Sequence, residues 1–240
     1  MYDFILGGAA SGKTAYIYER LTEDCLADPK KRFILFVPEQ NTLRAQQMIA
    51  EKSQRGGMLN IDVLSFTLLT YRVFSELGVK KPDILDDMTK SLLLRKAMRL
   101  KKNELRLYSK KTDTQGFLDE LKQAIAEFCQ YDIDTKRLRE LREQGVTRRL
   151  YDKLSDIAEI YDCFSSLLEN GEIIPEELPK LILRLLPKSH FLDGAIVYFD
   201  GFTGFTPIQQ KILAHVLSAA SEVHFALTIP KEELGIGRSR

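Results

Sequence analysis

Gly7-Gly8-Ala9-Ala10-Ser11-Gly12-Lys13-Thr14 is a complete G-x-x-x-x-G-K-[ST] run, and it follows the apolar stretch Phe4-Ile5-Leu6. A strand before and a helix after are the context this pattern needs to act as a phosphate loop. Phe4 to Leu6 reads as a short buried strand, and Lys13 to about Asp24 as the helix. Backbone N–H groups of the turn would cradle α- and β-phosphates, Lys13 would reach the β/γ oxygens, and the Thr14 hydroxyl would ligate Mg²⁺. The start of the helix would add its positive dipole end to the same phosphates. The candidate nucleotide-binding residues are therefore Gly7, Gly8, Ala9, Ala10, Ser11, Gly12, Lys13 and Thr14. A surface glycine turn with an incidental lysine is the alternative.

Outward from this loop, Phe33 to Val37, Asn60 to Leu64, Ala195 to Phe199 and Glu222 to Thr228 are short runs with β-branched or aromatic residues, which predict strands. Helical periodicity over Leu43 to Lys52 and Phe66 to Leu77 follows two of them, the alternation of a parallel α/β sheet. From about Lys80 to Ser189 no strand signal occurs. Helices are expected instead over Met88 to Lys101, Gly116 to Tyr131, Asp134 to Glu143, Arg148 to Glu169 and Pro175 to Leu186. The expected fold is α/β: a phosphate-loop parallel sheet built from residues 1–79 and 190–230, interrupted by a large all-helical insertion over 80–189. Residues 231–240 follow the last strand with no helix to cover its exit, and read as a tail inside a longer protein.

With 240 residues, 44% apolar and 29% charged, the chain can bury a full core and carries no compositional sign of long disorder. A net charge of +1 provides no global field for nucleic acid, so any such binding must come from local patches. Cys25, Cys129 and Cys163 are odd in number and far apart, which argues against a disulfide framework or a metal knuckle and for a reducing compartment. His190, His215 and His224 are dispersed, without a second ligand at metal spacing. The chain opens on a core strand and has no apolar run of membrane-span length, so the expected location is cytoplasmic, with no membrane partner.

Phosphate-loop enzymes hold Mg²⁺ through an aspartate at the end of a second apolar strand, and Ala195-Ile196-Val197-Tyr198-Phe199-Asp200 is that strand. Thr14 and Asp200 are thus the candidate metal ligands. The next residue, where ATP-driven motors carry a water-orienting acid, is Gly201. Asp200-Gly201 also suits a plain turn. Nucleotide binding with weak or absent hydrolysis is expected, and no catalytic residue is assigned.

The loop, then Phe33 to Gln40, then Val63-Leu64-Ser65-Phe66 with Tyr71-Arg72-Val73, then Asp200 to Thr206, fall in the order of the motifs of UvrD/Rep-type helicases. More closely, they resemble the N-terminal region of the AddB (RexB) family, whose members form the B subunit of AddAB helicase-nucleases. The likeness spans nearly the whole chain but only the first part of such a subunit. It implies ATP and Mg²⁺ as cofactors, a helicase-like 1A domain with a 1B-like insertion, DNA (a single strand or a duplex end) and an AddA-type helicase-nuclease subunit as partners, and a role in recombinational repair of double-strand breaks. Gly201 stands where active helicases of this kind have glutamate and Thr203 where they have glutamine; only Met1, Tyr2 and Asp3 precede the loop where such helicases place an adenine-reading glutamine. These departures imply a motor-inactive relative, and nothing in the chain matches the family's nuclease or iron–sulfur residues.

By the same resemblance Gln40, Ser65 and Phe66 fall in segments that face single-stranded DNA, where Phe66 would stack on a base; Phe66 equally suits plain core. Lys90, Arg95, Lys96, Arg99, Lys101, Lys102, Arg106, Lys110 and Lys111 form a basic run that suits a phosphate backbone or a solvated helix face. Lys101 and Lys102 are its DNA-binding candidates, and the salt slope of DNA binding after their change to alanine separates the two readings. Two other functions fit the loop: a small-molecule or nucleoside kinase using the helical block as a lid, and a structural adaptor with a vestigial loop.

Overall fold

The computed structural model describes residues 1–52, 60–142, 147–168 and 171–230. The chain runs through β1 (Tyr2–Gly7), α1 (Lys13–Ala27), β2 (Phe33–Phe36), a 3-10 turn (Glu39–Asn41), α2 (Thr42–Lys52), β3 (Ile61–Leu64) and α3 (Phe66–Leu77). It continues through β4 (Asp83–Ile84), α4 (Asp87–Lys101), α5 (Gln115–Gln130), α6 (Thr135–Arg142), α7 (Arg148–Leu167), β5 (Glu172–Ile173) and α8 (Leu178–Leu185). It closes with β6 (Ile196–Phe199), α9 (Pro207–Ala219) and β7 (Glu222–Thr228). Contacts group it into two compact units: Met1–Val79 with Ile182–Phe205 and the residues from Gln209 on, and Lys80–Leu181 with Thr206–Ile208.

The first unit is an α/β layer around one parallel sheet of order β1-β7-β6-β2-β3. β2 and β6 are apolar and buried at every position, the pattern of strands covered on both faces. Their side chains alternate between two cores. Ile34, Phe36, Val197 and Phe199 meet Leu69 and Val73 of α3 and Ile212 and Val216 of α9 on one face. Phe33, Leu35, Ile196 and Tyr198 meet Ile17 and Leu21 of α1 and Ala45 and Ile49 of α2 on the other. α9 went unread in the sequence, although Ile208, Ile212 and Val216 recur every fourth residue after Pro207 at the helix start.

β1 departs from the expectation of a buried strand. It lies at the edge of the sheet, paired only with β7 among the described residues, and Tyr2, Phe4 and Leu6 are exposed. Phe4 stacks on Phe225 with ring centroids 5.4 Å apart, yet remains 55% exposed. Three apolar residues in a row cannot tell a central strand from an edge, because both need β-forming residues.

The second unit packs Leu94, Ala97 and Met98 of α4, Leu118, Leu121 and Ile125 of α5, and Ile157, Ile160 and Phe164 of α7 into one core. The expectation of an all-helical block from 80 to 189 is corrected in one respect: β4 and β5 pair in parallel, Asp83 with Glu172 and Ile84 with Ile173. Two-residue strands leave no alternation to read. α7 also carries Asp156, buried, whose carboxylate accepts the backbone N–H groups of Arg106 (2.8 Å), Leu107 (2.7 Å) and Tyr108 (2.9 Å).

Asp86, Ser65 and Thr147 cap α4, α3 and α7 by accepting from the third residue on. Ile182 and Leu186 are buried in the sheet unit's core, which puts the second boundary at Leu181/Ile182 rather than at 189/190. Glu143 and Glu169, the expected ends of two helices, and the tail 231–240 lie outside the described residues. No described helix is long and apolar enough to cross a membrane.

Candidate functional site

All five strands of the main sheet run the same way, so the segments leaving their carboxyl ends share one edge, where open parallel sheets present ligand sites. The glycine-rich segment leaves β1 there, Pro38 to Asn41 leaves β2, Asp200 leaves β6, and Thr228 ends β7. Residues from all four line a cleft of about 480 Å³, among them Ser11, Lys13, Thr14, Asn41, Asp200 and Thr228.

The loop is shaped by close approach. A Cβ at Gly7 would fall 2.4 Å from Ser11 Oγ and 3.3 Å from Lys13 Cδ, so a side chain there would require the Ser11 hydroxyl to turn away. Gly12 holds φ at +86°, a left-handed conformation that glycine adopts without strain, and Ala10 sits at φ +56°. Lys13 Nζ donates to the carbonyls of Gly7 (3.0 Å) and Gly8 (2.6 Å) and lies 3.4 Å from Ser11 Oγ, which places the ammonium over the loop. α1 begins without a side-chain cap and without an acid in its first turn, so its leading N–H groups stay available to an anion.

Asp200 is anchored by its own N–H, which donates to the Phe36 carbonyl at 3.0 Å, and it is only 6% exposed. Thr14 Oγ1 donates to Asp200 Oδ1 at 3.2 Å, joining residues 186 apart in sequence. Burial raises the Asp200 carboxyl above the usual carboxylate range, while hydrogen bonds from Thr14, the Gly201 N–H and the Tyr18 hydroxyl, with the Lys13 charge, oppose the shift. Burial, then the facing Asp200 charge, push the Tyr18 phenol up, so it remains a donor. Thr14 and Tyr18 are four apart on α1 and present one face to Asp200.

The arrangement offers an ammonium and free helix N–H groups for phosphate, and a hydroxyl–carboxylate pair of hard oxygen donors of the kind Mg²⁺ takes from a protein. It offers no carboxylate next to Asp200: Gly201 is exposed and Thr203 carries a hydroxyl. No group of three or more His, Cys, Asp or Glu able to hold a metal occurs among the described residues.

Among the other candidates, Gln40 is exposed on the 3-10 turn. Ser65 is buried, and its Oγ accepts the Leu68 N–H at 3.1 Å. Phe66 is 6% exposed, with ring centroids 5.7 Å from Phe36, 5.8 Å from Phe202 and 6.3 Å from Phe205, so its ring belongs to an aromatic core cluster. In the helical unit Lys101 lies 2.8 Å from Glu104 and 3.8 Å from Glu159, and Lys102 lies 3.6 Å from Asp113. Lys90 is buried against Glu176 at 2.6 Å, while Arg99 and Arg106 meet Asp113 and Asp152. Carboxylates therefore interrupt the basic run that the sequence presents as continuous.

Sequence reading missed Tyr18, Asn41 and Arg44, all of which line the cleft. The signals were the four-residue step from Thr14 to Tyr18 and the helical spacing of Asn41, Arg44, Ala45 and Met48.

A family model described as "ADDB, N-terminal" matches residues 4–238. The chain is 36% identical over 232 residues to the B subunit of the ATP-dependent helicase/deoxyribonuclease of Lachnoclostridium phytofermentans, covering 96% of this chain and 20% of that protein. The proteins of the same description from Caldanaerobacter subterraneus subsp. tengcongensis and Heliobacterium modesticaldum are 35% and 34% identical, over 94% and 96% of this chain and 20% and 19% of theirs. The chain thus spans about a fifth of the length of the curated relatives it matches.

Proposed function

This chain belongs to the AddB N-terminal family, and on that premise we propose that it is the nucleotide-binding, helicase-like region of the B subunit of an ATP-dependent helicase/deoxyribonuclease, motor-inactive, serving repair of double-strand breaks by recombination. On this reading the sheet unit is a phosphate-loop NTPase core of the 1A kind and the helical unit is its 1B-like insertion. The observation that carries the reading is the convergence of Lys13, Thr14 and buried Asp200 at the carboxyl edge of one parallel sheet, with Thr14 Oγ1 3.2 Å from Asp200 Oδ1.

Gly7 to Thr14 would hold the phosphates of ATP, and Thr14 and Asp200 would hold Mg²⁺, which supplies charge neutralisation of the phosphate oxygens when bound. Lys13 would trade the Gly7 and Gly8 carbonyls for phosphate oxygens, a neutral acceptor for an anionic one. With Gly201 beside Asp200, no second carboxylate lines the cleft among the described residues to orient a water, so the site favours retention of ATP over its hydrolysis. DNA and an AddA-type subunit are the proposed partners. Exposed Gln40 and partly exposed Lys102 are the better placed DNA contacts, since Phe66 and Ser65 are buried.

Calorimetry of ATP–Mg²⁺ binding, with turnover followed on the same sample, tests the proposal. Binding is expected in the wild-type chain, with turnover at background, and Lys13→Ala should abolish the binding. Turnover above background that disappears in Lys13→Ala would overturn the motor-inactive reading, and no binding at all would overturn the nucleotide site.

A further inference from the structure

The cleft has a second cationic wall that the glycine-rich loop does not supply. Asn41, Arg44, Ala45 and Met48 recur at steps of three, one and three, so the 3-10 turn and α2 turn a single face to the cleft that Ser11 to Thr14 also line. Lys13 and Arg44 are the two cations among the lining residues. Lys13 is engaged by loop carbonyls, whereas Arg44 is exposed and has no carboxylate partner among the described residues. Arg44 is close enough to the Tyr18 hydroxyl, itself facing Asp200, for its charge to act on that phenol.

Gly201 completes the wall. Its φ is +78°, and a Cβ there would lie 3.1 Å from Asn41 Nδ2 and 3.4 Å from Pro38 Cδ. The Asn41 amide therefore fills the space into which a side chain following Asp200 would begin to grow. Backbone groups of the loop would hold the α- and β-phosphates and Lys13 would reach the β/γ oxygens, so a terminal phosphate would extend past the loop's backbone donors toward the rest of the cleft lining. Outside the loop, Asn41 and Arg44 line this cleft together with Gly201.

We propose that Arg44, assisted by Asn41, reads the terminal phosphate of a nucleoside triphosphate, so that this cleft tells triphosphate from diphosphate by affinity rather than by cleavage. The inference rests on the nucleotide-binding reading of the same cleft. A guanidinium is a planar fork of donors that matches two phosphate oxygens, and an amide adds one neutral donor without supplying a base. Diphosphate lacks the group on which both would close.

The test measures dissociation constants for the non-hydrolysable β,γ-imido analogue of ATP and for ADP, each with Mg²⁺, on the chain and on Arg44→Ala, Arg44→Lys and Lys13→Ala. Arg44 is exposed, so thermal melts of its variants should match wild type. Arg44→Ala is expected to weaken the triphosphate about ten- to hundredfold, the range of one charge-assisted contact, with ADP changed less than about threefold. Arg44→Lys should recover part of the loss, because it restores the charge but not the fork. Equal weakening of both ligands, or weakening of neither, would overturn the role of Arg44 while the nucleotide site stands. Wild-type chain that binds neither ligand would overturn both readings together.

Discussion

Gly201 holds its backbone at φ +78°, and the atoms nearest to an added Cβ are Asn41 Nδ2 and Pro38 Cδ. Restoring the acid that active motors carry at this position therefore meets two obstacles, a left-handed backbone costing about 1–2 kcal/mol for a residue with a Cβ, and an amide already in the way. Gly201→Glu is expected to lower the melting temperature and to gain no ATP turnover in a phosphate-release assay; turnover in a variant that melts like the wild type would show the reasoning to be wrong. Lys13, Thr14 and Asp200 were legible as candidates because the glycine-rich motif and the aspartate closing an apolar strand are local patterns, and the structure brings Thr14 to 3.2 Å from Asp200. Tyr18, Asn41 and Arg44 were not, because their place in the cleft lining depends on which faces α1 and α2 turn toward it. That is decided by how Ile17, Leu21, Ala45 and Ile49 seat the two helices on the sheet.

At the level of elements, α7 does more than pack. Asp156 gathers three consecutive backbone N–H groups, those of Arg106, Leu107 and Tyr108, and so fixes the segment between α4 and α5 against the helix that follows later in the chain. Asp156→Ala removes the shared acceptor of three part-buried backbone donors and is expected to destabilise the helical unit by about 1–3 kcal/mol, the range for donors left without a partner. Asp156→Asn, which keeps one acceptor oxygen, should fall between. Chemical denaturation followed by helical signal, together with hydrogen exchange at 106–108, checks this; unchanged protection in the alanine variant would refute it. The long helices were legible from their apolar periodicity, as Leu118, Leu121 and Ile125 on α5 illustrate. The β4–β5 pair and the Asp156 network were not, since neither leaves a periodic trace: one is two residues long, and the other joins positions 48 to 50 apart.

Across the whole molecule, alternation of strand and helix made a parallel α/β sheet readable, but strand order is absent from local pattern, and with it went the position of β1. Tyr2, Phe4 and Leu6 form an exposed apolar file on an edge strand, the arrangement that natural sheets guard against because it pairs with other chains. The 240-residue chain on its own is expected to self-associate with rising concentration, and Phe4→Lys to reduce this at a loss of about 1 kcal/mol from the Phe225 stack. Sedimentation velocity over a concentration series decides; identical profiles for variant and wild type would remove the edge as the cause. The pairing of β1 with β7 also sets a timetable for synthesis. Tyr2 meets Val223, so more than 200 residues must be made before this strand finds its neighbour. At roughly 5–20 residues per second, ribosomes leave β1 unpartnered for about 10–40 s. Throughout that interval the helical segments, whose contacts are closer in sequence, are free to collapse, and the nascent chain depends on whatever keeps an apolar strand from finding the wrong companion.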